Sequence, residues 1–164
     1  MLRKEKPIKI RLIKKSDLNR VAIIFMDAFN KAANKGWTKK RVSEYMQWWY
    51  KRRPDLFLVA EVDDRVVGGA VGEIKPLVNG NHLVDLQLFV DIKSQNRGVG
   101  KSLLEDLIKK AKKKYKIVEV QGFADQTTKF PMSWYKRIGL NITRWTHIEG
   151  EVDEVLKHLD TSMK

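Results

Sequence analysis

Two hydrophobic spacings follow one another in the first third of the chain and predict one strand and then two helices. Residues 8–13 alternate apolar and polar side chains, which is typical of a strand with one buried face. Over residues 18–33 the apolar side chains recur every three or four positions, which predicts an amphipathic helix. The same spacing predicts a second helix over about residues 38–51, because Pro54 follows it.

The middle of the chain predicts three strands in succession. Residues 56–62, 65–74 and 83–90 are runs rich in apolar and β-branched side chains. Residues 63–64 (Asp-Asp) and 79–81 (Asn-Gly-Asn) separate these runs and are typical of tight turns. Strands that are joined by such short turns pair antiparallel, so we expect a meander here.

The remaining residues predict a helix, a strand, a helix, a strand and a terminal helix. These elements fall at about residues 98–114, 117–120, 131–139, 140–148 and 151–159. The whole order predicts the α+β class, as one mixed and largely antiparallel sheet flanked by helices. No linker or repeat interrupts the pattern, so we expect residues 1–164 to form a single domain with its core at about residues 7–149.

Composition excludes several kinds of chemistry. With 164 residues, of which 43% are hydrophobic, the chain is long enough for one core. It has no cysteine, and its three histidines lack metal-ligand spacing, so we expect neither disulfides nor a metal site. No apolar run is long enough to span a membrane, and the basic N-terminus lacks the apolar segment of a signal peptide. These features predict a cytoplasmic protein without a membrane partner.

The net charge of +13 indicates an anionic partner, such as nucleic acid, a phosphorylated cofactor or an acidic protein. A solvated surface rich in lysine and glutamate gives the same charge without any partner. The lysines of residues 109–114 and exposed tryptophans would suit a nucleic-acid-binding module. No nucleic-acid motif is present, however, and lysines at a helix C-terminus also complement the helix dipole. Nucleic acid is therefore the alternative rather than the expected partner.

A short glycine-containing segment gives the sharpest indication of a ligand. Residues 95–100 have the sequence QNRGVG and join the predicted strand 83–90 to the predicted helix that follows. The first turn of a helix has unpaired N–H groups and a partial positive charge, and Gly98 and Gly100 leave room for an anion there. The spacing fits neither a P-loop nor a dinucleotide-binding fingerprint. From these residues alone, a phosphate cradle and a plain strand-to-helix turn are equally open.

Two segments resemble motifs of the GCN5-related N-acetyltransferases. Residues 88–90 (LFV), then four residues, then QNRGVG and the leucines at 103 and 104 resemble motif A of that family, Gln/Arg-x-x-Gly-x-Gly/Ala. Residues 134–140, WYKRIGL, are similar to its aromatic-Tyr-x-x-x-Gly-Phe/Leu segment. The motifs stand in the family's order, and the predicted elements follow the family's topology from end to end.

The resemblance implies acetyl-CoA as cosubstrate and assigns residues to it. Backbone N–H groups of the loop would hold the pyrophosphate, and free backbone groups of the preceding strand would pair with the pantetheine arm. The Leu88 N–H would polarise the thioester carbonyl, an oxyanion-hole role. Thr128 and Pro131 stand where many members have asparagine and alanine, which weakens one expected side-chain contact to pantetheine. The implied coenzyme-binding residues are Leu88, Phe89, Val90, Gln95, Asn96, Arg97, Gly98, Val99, Gly100, Lys101, Ser102 and Thr128.

The implied reaction is direct transfer of the acetyl group to a primary amine. Tyr135 matches the family's tyrosine near the coenzyme sulfur and is the expected general acid, because a phenol with a pKa near 10 can protonate a leaving thiolate. Asp85 and Glu73 are the candidate bases, while a water chain or an amine that arrives neutral would make both unnecessary. A catalytically silent acyl-CoA-binding protein is a further alternative, which the intact Tyr135 disfavours.

The resemblance places the acceptor amine beside the first two helices. Trp37, Trp48 and Trp49 lie in this region, and aromatic faces suit a cationic amine, although packing of a helix on the sheet also explains such residues. The basic residues 51–53 favour a small amino-acid-like amine or a peptide amine over a polyamine. Homodimers are common in the family, and the last strand and the helix at 151–159 are candidate contributors to one.

Overall fold

A computed structural model describes residues 7–33, 36–127 and 129–162, with the backbone alone at 32–33 and 160–162. The chain forms two compact units, whose boundary in the sequence lies between Phe123 and Ala124. The first unit contains the sheet and three long helices, and the second contains two shorter helices. No described helix is both long and apolar enough to cross a membrane. That residues 1–164 make a single domain stays a prediction.

The first unit contains one five-stranded sheet in the order β1-β2-β3-β4-β5. The first four strands pair antiparallel with their neighbours, and β5 pairs parallel with β4. The predicted fold class and meander are therefore confirmed. The strands are β1 (Lys9–Leu12), β2 (Leu58–Val62), β3 (Arg65–Leu77), β4 (Gly80–Val90) and β5 (Glu119–Val120).

Helices cover both faces of this sheet. They are α1 (Leu18–Ala33), α2 (Lys39–Arg52) and α3 (Val99–Tyr115), close to the predicted bounds. Two adjacent glycines of β3 show how tightly both faces are packed. A Cβ on Gly69 would lie 2.5 Å from the Phe89 ring, within the core that α1 and α2 cover. A Cβ on Gly68 points the opposite way, 3.2 Å from Leu103 of α3.

An arginine between two carboxylates joins β1 to the rest of the first unit. The Arg11 guanidinium donates to Asp17 Oδ2 at 2.7 Å and to Oε1 of Glu61 on the neighbouring strand. Burial alone would raise the pKa of Asp17, but hydrogen bonds from Arg11 and from the Lys14 N–H outweigh it and hold that pKa below its ordinary value. The Arg11 hydrogen bond likewise lowers the pKa of Glu61.

We expect Arg11→Met to lower the free energy of unfolding by about 3 kcal/mol near pH 6, because it leaves the buried Asp17 without its cation. Carboxylates with lowered folded-state pKa values stabilise the fold above their ordinary pKa and lose that effect as the pH falls below it. The difference between native and variant should therefore shrink between pH 6 and pH 3 in urea unfolding. Lys9→Met, which removes a well-exposed lysine 3.8 Å from Glu61, is the control. A difference that does not change with pH would contradict the prediction.

In the second unit, the predicted strand at residues 140–148 is wrong. These residues form no strand, and the helices on either side are α4 (Lys129–Arg137) and α5 (Val152–Ser162). Within the segment, Thr143 Oγ1 accepts a hydrogen bond from the Trp145 N–H at 3.3 Å, and such local bonding competes with an extended backbone. The prediction relied on alternation of apolar residues, but a strand also needs a paired neighbour, and Ile142 and Trp145 are exposed.

Candidate active site

The β4 strand has one open edge. Its pairing with β5 covers only His82 and Leu83, and the last bond between them is from the Gln121 N–H to the Leu83 carbonyl at 2.8 Å. Beyond Leu83 the described residues show no further pairing with β5, although a Cβ on Gly122 would still lie 3.4 Å from Leu86 Cβ. Within the described part of the chain, residues 84–90 therefore pair on the β3 side alone. We call this side of residues 84–90 the open edge.

Leu88 and Val90 present their backbone groups to the open edge. The Asp91 N–H donates to the Val67 carbonyl of the β3 side at 2.8 Å, and in an antiparallel pair every second residue faces the same neighbour. Phe89 therefore faces β3, while the N–H and C=O groups of Leu88 and Val90 point away from it. The Gln95 side chain, which donates to the Val90 carbonyl at 3.1 Å, confirms this direction. These are the backbone groups that the motif resemblance assigns to the pantetheine arm.

The loop after β4 ends in an uncapped helix N-terminus. Gly98 is the N-cap of α3 with φ +80°, and no side chain caps the helix there. Asn96 also has a left-handed φ of +60°, and α3 has no acidic residue in its first turn. We call residues 95–102 the cradle, because the unpaired N–H groups of the first helical turn point out of it together.

Gly100 has no structural reason to be glycine. It lies inside α3, where its backbone is helical, and a Cβ would meet Val90 Cγ2 at 3.7 Å, an ordinary contact. Alanine is the better helix former by roughly 1 kcal/mol. The packing of the described residues therefore does not require glycine here, and the missing side chain leaves the backbone open to an anion.

An ion pair fixes the start of the cradle loop to α1. Arg20 donates to Asp91 Oδ2 at 2.5 Å and to the Val66 carbonyl at 3.1 Å. Asp91 also accepts from the Lys93 N–H at 3.0 Å. The loop that leads into the cradle is thus held at its first residues, while the side chains of Arg97 and Lys101 are exposed and available to an anion.

The two candidate bases have different surroundings. Glu73 is buried and receives hydrogen bonds from Arg52 Nε and from the Ile74 N–H, with Arg53 Nη1 at 3.5 Å. Asp85 is partly exposed, and its carboxylate lies 3.4 Å from Lys75 Nζ. Because its carboxylate has fewer hydrogen-bond and ion-pair partners than that of Glu73, Asp85 is the better placed of the two to accept a proton.

Asp85 also sits at an irregularity that the sequence did not predict. Val71 pairs with Gln87 and Glu73 with Val84, so β4 has one residue more than β3 between these pairs. Asp85 has φ +52°, a left-handed conformation, at this β-bulge. Bulges often lie next to active sites, where they change the direction of a side chain. An aspartate within an apolar run does not indicate a bulge, so the sequence could not predict this one.

Three aromatic rings form a stacked row between α2 and the loop before it. Trp37 stacks on Tyr45 with centroids 5.2 Å apart, and Tyr45 stacks on Trp48 at 6.4 Å. Trp48 is 50% exposed, whereas Trp49 is 2% exposed and belongs to the core. Of the three tryptophans proposed for the acceptor, Trp48 is the most exposed, with the Arg52 guanidinium over its ring, and Trp49 only supports it. Burial raises the pKa of Tyr45, and the negative charge of Asp85 adds to this rise.

Tyr135 lies on α4 in the second unit. Its side chain is half-buried, its ring is 5.2 Å from that of Trp134, and its carbonyl accepts from the Leu140 N–H at 3.0 Å. Burial raises the pKa of its hydroxyl, which therefore stays protonated well above neutral pH. Thr128 lies outside the described residues.

Among the described residues, no group of three or more histidine, aspartate or glutamate side chains could hold a metal ion.

A model of the Acetyltransferase (GNAT) family matches residues 20–139, which include β4, the cradle and Tyr135. Among curated proteins, an uncharacterized N-acetyltransferase of Methanocaldococcus jannaschii is 29% identical over 138 residues. The match covers 82% of this chain and 61% of that protein, so the chain spans less than two thirds of the length of this relative.

Solved structures share the fold at low sequence identity. A possible acetyltransferase from Clostridium difficile 630 superposes with a TM-score of 0.76 at 19% identity, over 88% of this chain and 97% of that one. The PaiA N-acetyltransferase from Thermoplasma acidophilum, solved in complex with coenzyme A, gives a TM-score of 0.66 at 20% identity. That match covers 85% of this chain and 93% of the other.

Proposed function

Because this chain belongs to the GNAT acetyltransferase family, we propose that it transfers the acetyl group of acetyl-CoA directly to a primary amine. The observation that carries the proposal is the junction of β4 and α3, where a loop of residues 91–98 joins an open strand edge to a helix N-terminus without a side-chain cap among the described residues. A strand edge suits the amide groups of pantetheine, and a helix N-terminus suits a pyrophosphate.

The residues present fit the coenzyme. Gly98 and Gly100 leave the first turn of α3 accessible, and the N–H groups of residues 98–101 are the proposed pyrophosphate ligands. Arg97 and Lys101 add positive charge beside them, and Ser102 adds a hydroxyl. The backbone of Leu88 and Val90 is the proposed partner of pantetheine, which would displace the Gln95 side chain from the Val90 carbonyl. Phe89 supports β4 from the side of the sheet that α1 covers, because its ring is buried against Phe25 of α1.

Bound acetyl-CoA supplies an acetyl thioester, and in the transfer a C–N bond forms while the C–S bond breaks. The Leu88 N–H is proposed to donate to the thioester oxygen as negative charge develops there. Asp85, directly or through water, is proposed to take the proton from the incoming ammonium, because only the neutral amine has a lone pair. Tyr135 is proposed to protonate the departing thiolate, a task that its raised pKa suits at neutral pH. The second proton that the nitrogen loses on becoming an amide then restores the phenol through solvent.

The acceptor is proposed to be a small amino-acid-like amine or a peptide amine that approaches over Trp48. The exposed part of the Trp48 ring favours a cationic group over a neutral one, and so does the Asp85 carboxylate, whose charge reaches Tyr45, the next ring of the row.

Titration with acetyl-CoA and with free CoA tests the proposal. At a ligand concentration 100 times the Kd, we expect the free energy of unfolding to rise by about 2.7 kcal/mol, which shifts the thermal midpoint by about 5–10 °C. A panel of primary amines, followed by thiol release and by the mass of the acetylated product, then tests turnover. No shift at millimolar acetyl-CoA would refute the proposal, and a salt-sensitive shift with random oligonucleotides would instead favour nucleic acid. Coenzyme binding without turnover of any amine would point to a silent acyl-CoA-binding protein.

A further inference from the structure

The C-terminal end of α2 places two arginines on one buried carboxylate. Arg52 Nε donates to Glu73 Oε2, and Arg53 Nη1 lies 3.5 Å from Glu73 Oε1. Only 9% of the Glu73 side chain is exposed. One negative charge therefore faces two positive charges on the side of the sheet that α2 covers.

The surrounding ion pairs leave one positive charge uncompensated. Arg53 also lies 3.4 Å from Asp55, but Asp55 is shared with Lys114 at 2.9 Å. The cluster thus holds three cations, Arg52, Arg53 and Lys114, and two carboxylates, Glu73 and Asp55. A partly buried cluster with an excess cation favours the binding of an anion.

Arg52 is the member of the cluster that solvent reaches. Its side chain is 54% exposed, against 14% for Arg53. Its guanidinium carbon lies 5.4 Å from the ring centroid of Trp48, the most exposed residue of the aromatic row. Within the described part of the chain, its two terminal nitrogens have no protein acceptor. Because a guanidinium presents parallel N–H groups, this free end suits a carboxylate.

Glu73, the carboxylate that Arg52 contacts, lies close to the proposed reaction centre along the sheet. Glu73 is two residues from Val71 along β3, and Val71 pairs with Gln87, the residue before Leu88. One step of two residues and one strand spacing put the Cα atoms of Glu73 and Gln87 roughly 8 Å apart. Because the Arg52 side chain extends outward from Glu73, an acceptor that reaches both Leu88 and Arg52 would need several bonds between its amine and its anion.

We propose that Arg52 is a specificity-determining residue that binds a carboxylate of the acceptor, with Trp48 supporting the chain between the carboxylate and the amine. The acceptor class is then an ω-amino carboxylate or a peptide N-terminus followed by an acidic side chain. An α-amino acid is excluded, since its amine and carboxylate share one carbon. This inference rests on the proposed acetyltransferase function.

Matched acid and amide acceptors test the inference. We would compare kcat/KM for 6-aminohexanoate and 6-aminohexanamide, and for the dipeptides Ala-Glu and Ala-Gln as their C-terminal amides. The native protein should prefer the acid of each pair by about tenfold, as expected for a partly exposed charge-assisted hydrogen bond. Arg52→Gln should bring the ratio near one, and Arg52→Lys should keep part of it. Lys51→Gln removes the charge of an exposed neighbour outside the cluster and should keep the full ratio.

The outcomes separate this inference from the proposed function. An acid-to-amide ratio below threefold in the native protein, or an equal loss in Lys51→Gln, overturns the role of Arg52 while acetyl transfer stands. If no acceptor is turned over, binding of glutarate is followed by the fluorescence of Trp48 against a Trp48→Phe reference. Quenching that Arg52→Gln abolishes supports the anion site even if acetyl-CoA does not bind, and no difference between native protein and Arg52→Gln overturns it.

Discussion

Replacing Gly100 with tryptophan is expected to abolish the rise in thermal midpoint that acetyl-CoA produces. The fold should tolerate the change, because a Cβ at this position makes an ordinary 3.7 Å contact with Val90. The indole, however, would fill the space beside the first turn of α3 in which the pyrophosphate is proposed to lie. We expect the affinity for coenzyme A to fall by at least about 100-fold, since both the N–H contacts and the helix-dipole attraction are obstructed.

A matched control separates obstruction from damage to a helix terminus. Lys40 occupies the second position of α2, as Gly100 does of α3, and it is exposed. Lys40→Trp should therefore keep the full response to coenzyme. Gly100→Ala, which adds only a Cβ, should lose part of it. A folded Gly100→Trp protein with an unchanged coenzyme response would refute the placement of the pyrophosphate in the cradle.

Tyr135→Phe is expected to lower kcat by about 10²- to 10³-fold while the response of the midpoint to acetyl-CoA is kept. The loss follows from removing a general acid, whose contribution is typically of that size. The phenol acts as an acid only while it is protonated, and burial raises its pKa. The native rate should therefore not decline through deprotonation of Tyr135 until the pH exceeds the ordinary tyrosine value of about 10.

Tyr50→Phe removes a half-buried hydroxyl of α2 and serves as the matched control, with a rate expected within twofold of the native one. Initial rates at saturating amine, measured from pH 6 to pH 10, check both statements. A Tyr135→Phe rate within threefold of native would show that the thiolate leaves without this acid.

The sequence predicted the elements whose patterns are local. Helices α1, α2 and α3 repeat apolar residues at helical spacing over at least fourteen residues each, and their observed bounds differ from prediction by at most one position. The cradle was also predictable, because its glycines lie at the start of α3. The family model confirms the resemblance that these motifs suggested.

What the sequence did not predict depends on partners distant in the chain. Residues 140–148 have the alternation of a strand, but alternation does not supply the neighbour that a strand needs. Arg52 and Arg53 are adjacent and chemically alike, yet Arg53 turns toward Tyr115, with its guanidinium carbon 4.8 Å from the ring centroid, while Arg52 turns toward Trp48. Only the packing of α2 on the sheet distinguishes the partly buried Arg53, which supports the fold, from the exposed Arg52, which is proposed to bind a carboxylate.

The bulge at Asp85 determines which residues of β4 direct their backbone groups toward the open edge. Before it, the odd-numbered Asn81 and Leu83 direct their carbonyls toward the β5 side, where Val118 and Gln121 donate to them. After it, the even-numbered Leu88 and Val90 face that side, since Asp91 is bonded to β3. If the register of Glu73 with Val84 continued along β4 without the bulge, the ladder would be more regular and the backbone less strained, yet the Leu88 amide would face β3 and Phe89 would face the open edge in its place. A more regular sheet would thus lose the one amide that the proposed chemistry needs.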